Sequence, residues 1–169
     1  MTLLKPVYAA VGHSDPFEII KMNDHGEFIT TILVNNRSVK AIVDTGANAV
    51  ALSSVAADRL GINYKNAPFA QVHTAAGIAK GYHVRIENIT IADVKIQDIQ
   101  AVVIEGKWPT NVLLGMSYLQ HFEMRYQGRI LMLYATNNEK YYYASPRSKN
   151  PSPSYYNRQK PQKKSIYGY

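Results

Sequence analysis

Val39-Lys40-Ala41-Ile42-Val43-Asp44-Thr45-Gly46-Ala47-Asn48-Ala49-Val50-Ala51-Leu52 is an apolar run that ends in a carboxylate, a hydroxyl and a glycine before apolar character resumes at Val50 and Leu52. Ala41, Ile42 and Val43 read as a short buried strand. An ionisable group beside such a strand is costly unless it is hydrogen-bonded or has chemistry to perform. Gly46 lets the backbone turn tightly and approach another molecule without a Cβ, and the Thr45 hydroxyl can hydrogen-bond to a neighbouring strand. Two readings of Asp44 stand at this point: a catalytic carboxylate, or a side chain capping a strand-to-helix turn.

Upstream, Phe17 to Met22 and Glu27 to Val34 are β-rich runs around the turn signal Asn23-Asp24-His25-Gly26, which predicts a hairpin. Asn35-Asn36 predicts a second tight turn into Arg37 to Asp44, placing the carboxylate at the end of a third strand. Downstream, Ser53 or Ser54 can cap a short helix through Leu60 that Gly61 stops. Thr74-Ala75-Ala76-Gly77, with Gly81 nearby, forms a small-residue hairpin tip expected to be mobile. From Val84 to Ile104 the β-branched pattern predicts two long antiparallel strands turning at Ala92-Asp93. Val112-Leu113-Leu114-Gly115 is a buried strand ending in glycine, Met116 to His121 a short helix, and Gln127-Gly128 the turn of a last hairpin. The fold class that follows is all-β and barrel-like, with one or two short helices.

The 169 residues allow one domain plus a tail. Without cysteine there are no disulfides, thiol nucleophiles or cysteine-based metal sites. The net charge of +7 is uneven: residues 137–169 hold seven basic residues against Glu139 alone, and almost no aliphatic side chain besides Ile166 and Ala144. That segment cannot bury enough surface to order itself, so a disordered basic tail rich in Tyr, Lys, Pro and Ser is expected. It reads either as a solvated tail or as a weak contact for polyanions. The expected division is an N-terminal extension at 1–15, a domain at 16–136 and the tail at 137–169. Lys5 and Pro6 interrupt the apolar start of the chain, and no run reaches the length of a membrane span, so the expectation is a soluble protein, cytoplasmic by default.

In this order, an apolar strand ending in Asp44-Thr45-Gly46-Ala47, a glycine-centred hairpin, and Leu113-Leu114-Gly115 before a short helix resemble the retropepsin-like aspartic proteases. Thr74-Ala75-Ala76-Gly77 and Leu114-Gly115-Met116-Ser117-Tyr118-Leu119 are particularly similar to the single-domain bacterial branch, which commonly has Asn where this chain has Ala76. The resemblance covers roughly Phe28 to Tyr134. It implies a closed β-barrel of the acid protease fold, an aspartic endopeptidase activity, a peptide or protein substrate, and Asp44 as the catalytic residue. It also implies that Thr45, Gly46 and Ala47 support the active-site loop, with Thr45 bonding across a dimer. Thr74, Ala75, Ala76 and Gly77 would form a flap, and Gly115 would let its strand pass close beneath the Asp44 loop.

Hydrolysis of a peptide by carboxylates needs two of them sharing one proton. Asp15, Asp24, Asp58, Asp93 and Asp98 lack a following Thr-Gly or Ser-Gly, so the economical arrangement is a twofold homodimer in which Asp44 faces its own symmetry mate. The five histidines have no metal-ligand spacing, Ser53 and Ser54 no nucleophile context, and Gly77 and Gly81 no phosphate-loop sequel, so no metal or cofactor is expected. The alternative from another class is a catalytically silent peptide-binding or assembly module that keeps the same fold and groove.

Overall fold

Asn35 and Asn36 both adopt positive φ, 48° and 65°. This is the backbone that a two-residue hairpin turn demands and that Asn tolerates. They join β2 (Ile29–Val34) to β3 (Arg37–Val43) in an antiparallel pair from Val34↔Arg37 to Ile29↔Ile42. The computed structural model of the chain describes residues 16–74 and 77–136, together with the backbone of Tyr142–Tyr143. The remaining elements are β1 (Glu18–Lys21), β4 (Val50–Ser53), α1 (Ser54–Leu60), β5 (Phe69–Thr74), β6 (Gly77–Ile91), β7 (Val94–Ile104), β8 (Val112–Leu114), α2 (Met116–Leu119), β9 (Phe122–Gln127), β10 (Ile130–Ala135) and β11 (Tyr142–Tyr143).

Six strands close on themselves: β3 pairs β2, β2 pairs β6, β6 pairs β7, β7 pairs β4, β4 pairs β8, and β8 returns to β3. The fold is therefore a closed β-barrel of the retropepsin-like type, as the sequence leads one to expect. Closure removes sheet edges from the middle of the molecule. It also buries Ile32, Val34, Ala41, Leu52, Ile86, Ala101, Val103, Val112 and Leu114 in one core cluster. Each large aliphatic side chain fully removed from water there contributes about 1.5–3 kcal/mol. The pairings β3–β8 and β4–β7 are parallel, and these two ladders carry the chain into and out of the Asp44 loop.

The helix signals are realised as read. Ser53 caps α1 by accepting from the Ala56 amide, and Gly61, in the left-handed region at φ 71°, ends it. The first predicted hairpin differs. Its turn exists, with Asn23 Oδ1 accepting from the His25 and Glu27 amides, but only the isolated bridge Met22↔Phe28 closes it. Strand β1 instead pairs with β10 in a separate three-stranded sheet ordered β1-β10-β9. A partner more than a hundred residues away leaves no local trace in the sequence.

The long β6–β7 ribbon reverses its pleat partway. On β7 the buried positions are Val94 and Ile96, then Ile99, Ala101 and Val103, so the alternation changes phase between Ile96 and Ile99. Asp98 sits at that break with φ 58°, and Arg85 on β6 grips its carboxylate through both Nε and Nη2. The pairing register is the same before and after, Ile86↔Ile99 and Asn88↔Gln97, so the ribbon twists without slipping.

Tyr142–Tyr143 lies within the tail segment and pairs with Lys95 and Val94 of β7. The other residues of 137–169, and with them the expectation of a disordered, polyanion-binding tail, fall outside the described residues, as do residues 1–15. Among the described residues no helix is long and apolar enough to cross a membrane.

Candidate active site

Strand β3 runs parallel to β8 with Ala41↔Val112, Ile42↔Leu113 and Val43↔Leu114 in register. Asp44 follows immediately, its amide donating to the Leu114 carbonyl at 3.0 Å. The chain then turns on the carboxylate itself. Gly46 N donates to Asp44 Oδ1 at 2.9 Å, and Ala47 N donates to the Asp44 carbonyl at 3.3 Å. This is the turn an aspartate makes with the amide two residues on. It leaves Oδ2 without a partner among the described residues. Asp44 is half-buried while Thr45 and Gly46 are exposed, so the loop opens onto a surface rather than into the barrel.

Beneath the loop lies the junction of β8 and α2. The amides of Met116 and Ser117, at the start of α2, donate to the carbonyls of Ala47 (2.8 Å) and Asn48 (2.9 Å). Two of the amide groups that a helix N-terminus leaves without intrahelical partners are thereby satisfied by loop carbonyls. Gly115 makes the approach feasible. A Cβ on it would stand 2.2 Å from the Ala49 oxygen and 2.7 Å from the Ala47 oxygen. Asp44, Thr45, Gly46, Ala47 and Gly115 are thus brought into one assembly.

Thr74 and Gly77 sit on the β5–β6 hairpin, at the far end of the sheet order β3-β2-β6-β5. They pair with each other, and Thr74 Oγ1 donates to the Gly77 carbonyl at 2.8 Å. The tip residues Ala75 and Ala76 lie outside the described residues. Beside the tip, Ile78 is 65% exposed, and Phe69 at the base of β5 is 56% exposed. Gly81 departs from its reading as part of a mobile tip. It is buried, and a Cβ there would meet Val72 Cγ2 at 2.9 Å and the Val103 oxygen at 3.0 Å. It is a packing glycine at the base of the hairpin, where β6 pairs with β5 on one side and β7 on the other, at Ala70↔Gly81 and Gly81↔Ile104. The base is further tied by Lys80 Nζ and the Tyr82 hydroxyl, which both donate to Glu105 Oε1, at 3.1 and 3.0 Å.

The sequence pattern gives Ser117 no role, yet its hydroxyl accepts from Val50 N and donates to the Gln100 carbonyl. The only available signal was a hydroxyl two residues after the Leu-Leu-Gly strand end. Among the described residues no cluster of three His, Asp or Glu side chains could hold a metal ion.

Residues 30–121, more than half the chain, match the family model described as gag-polyprotein putative aspartyl protease. The chain is similar to the crystal structure of a retropepsin-like aspartic protease from Rickettsia conorii. The two are 31% identical with a TM-score of 0.61, over 69% of this chain and 88% of that one. Two curated but uncharacterized relatives also match. One, encoded in the cobV 5' region of a Sinorhizobium species, is 35% identical over 101 residues; the other, from Rickettsia prowazekii, is 31% identical over 106. The matches take in 59% and 62% of this chain but only 43% and 45% of those relatives' lengths.

Proposed function

Because the chain belongs to the gag-polyprotein aspartyl protease family, we propose that two copies of it form an aspartic endopeptidase, with the Asp44 carboxylates of both flanking a single water. The observation that carries this reading is the placement of Asp44. It is a half-buried carboxylate at the mouth of an exposed loop, with one oxygen bound to Gly46 N and the other free among the described residues, in a chain with a single Asp-Thr-Gly. One Asp44, ionised, takes a proton from the water as its oxygen attacks the peptide carbonyl carbon. The other, protonated, donates to the carbonyl oxygen. Collapse of the tetrahedral intermediate breaks the C–N bond, the amine leaving with a proton from the dyad. Thr45 bonds across the twofold axis, and the β5–β6 hairpin with its exposed Ile78 closes over the bound peptide. The Rickettsia conorii protease, at 31% identity, supports the same reading.

Activity per chain then depends on protein concentration. It rises through the range where monomer converts to dimer and levels off once the dimer is saturated. Peptide cleavage measured beside sedimentation checks this; activity per chain that is flat while the protein is purely monomeric contradicts it.

The pair works with one proton between its two members, so cleavage follows a bell-shaped pH profile with its optimum roughly between pH 4 and 6.5. The tie at the hairpin base has its own pH limit. The bonds from Lys80 and Tyr82 hold the Glu105 carboxyl below its usual value, so the tie is complete above the ordinary carboxylate range and is lost only as pH falls through the lowered value. A rate that instead climbs steadily to alkaline pH, or that a chelator abolishes, is incompatible with the dyad.

A further inference from the structure

The parallel pairing of β4 with β7 begins at Val50↔Ala101. At that first rung a side chain bridges the two strands. Val50 N donates to Ser117 Oγ at 3.0 Å, and Ser117 Oγ donates to the Gln100 oxygen at 2.7 Å. The hydroxyl acts as acceptor and donor at once, linking the Val50 amide to the Gln100 carbonyl where the chain leaves the Asp44 loop. It does not cap α2, whose N-cap, Gly115, has no side-chain cap bond. The amide of the same residue holds the Asn48 carbonyl at 2.9 Å. Ser117 therefore grips the loop at Asn48 and Val50 and ties both to the barrel wall.

We infer that Ser117 is a positioning residue for Asp44, its hydroxyl fixing the outgoing end of the catalytic loop. This deepens the proposed function and rests on it. The incoming end of the loop is already fixed by the β3–β8 ladder and the bond from Asp44 N to Leu114. Between the two ends, Thr45 and Gly46 are exposed. Among the side-chain bonds on the outgoing end, the Ser117 hydroxyl is the one that links it to another strand. Without it the Val50 amide, on a residue with no exposed surface, loses this acceptor, and the outgoing end of the loop loses its side-chain tie to Gln100. A displacement of about 1 Å in a catalytic group lowers a rate by roughly a hundredfold.

The test uses the full-length chain with Ser117→Thr, which keeps the hydroxyl, and Ser117→Val, which has the same shape without it. Three quantities are read: kcat and KM for a peptide at dimer-saturating concentration, melting temperature, and hydrogen exchange of the Val50 amide against those of β6 and β7. Ser117→Val is expected to lower kcat by about ten- to a hundredfold with KM changed less than about threefold, and to speed Val50 exchange by about tenfold with β6 and β7 unaffected. Ser117→Thr is expected to stay within about threefold of the parent in kcat. Ser117→Val with parental kcat, equal losses in Thr and Val, or exchange that quickens uniformly over the barrel each overturn the inference. If the parent chain cleaves no peptide, the catalytic reading falls by itself. The exchange comparison then decides the positioning: faster Val50 exchange in Val than in Thr upholds the hydroxyl tie, and equal rates overturn it.

Discussion

Asp44→Asn lowers kcat for peptide cleavage by about 10³- to 10⁴-fold while the chain stays folded and dimeric. The magnitude is that of removing a proton-transferring group from the reaction. Asparagine has the shape of aspartate, and its amide oxygen can still accept from Gly46 N in place of Asp44 Oδ1, which now does so at 2.9 Å. The turn into Ala47 therefore survives. The position of Oδ2, free among the described residues, becomes an NH₂ group that can neither take a proton from water nor pass one to a carbonyl oxygen. Asparagine also carries no charge, so any repulsion between the two facing carboxylates is removed, and the dimer is expected to be no weaker. Peptide turnover, circular dichroism and sedimentation on the same preparations check all three statements. Full cleavage by the variant would return Asp44 to the role of a turn residue. Peptide binding without cleavage by either form would favour the silent binding module.

Gly115→Ala is the second large effect, and it acts through space alone. The φ of Gly115 is −85°, ordinary for any residue, so backbone strain is not at issue. The added methyl would lie 2.2 Å from the Ala49 oxygen, 2.5 Å from its carbonyl carbon and 2.7 Å from the Ala47 oxygen. These are backbone atoms, and they cannot retreat without giving up the bonds from Met116 N to Ala47 and from Ser117 N to Asn48. The expected cost is about 3 kcal/mol or more, at or above the upper end for overpacking. That corresponds to a fall in melting temperature of roughly 10 °C, with activity lost because the Asp44 loop is displaced. Gly26→Ala is the control. Gly26 has φ 83° but nothing within 4 Å of the added Cβ, so only backbone strain of about 1 kcal/mol applies. A Gly115→Ala protein as stable and active as the parent would mean that the two segments are not in close contact.

What the sequence made legible was local. Asn35-Asn36 could be read as a turn because few residues accept positive φ in succession, and Ser53 and Gly61 as helix ends because each satisfies its own neighbours. The Asp44-Thr45-Gly46 loop was readable because a carboxylate and a glycine at the end of an apolar strand contradict the propensity around them. What escaped depends on partners distant along the chain. The turn signal between β1 and β2 predicts that they pair, whereas the ladder of β1 is with β10. Gly81 looked like a flexible tip because small residues surround it in sequence; its burial comes from Val72 and Val103. The change of phase at Asp98 does mark the sequence, where Gln97-Asp98 sets two polar residues between Ile96 and Ile99, but the left-handed backbone that produces it does not. Ser117 was hidden for a related reason. A serine beginning a helix reads as polar surface or cap, and nothing in Gly-Met-Ser-Tyr indicates that its hydroxyl links Val50 of β4 to Gln100 of β7.

The central claim is that one Asp44 is half of a site. The separation of the two Asp44 carboxylates in a crystal of the assembled protein with a bound peptide analogue tests it most directly. The account predicts a twofold pair with carboxylate oxygens roughly 3 Å apart, close enough to share one proton, and the analogue lying between them and the β5–β6 hairpin. A dimer that holds the two carboxylates on separate surfaces, or an analogue bound away from Asp44, would contradict it.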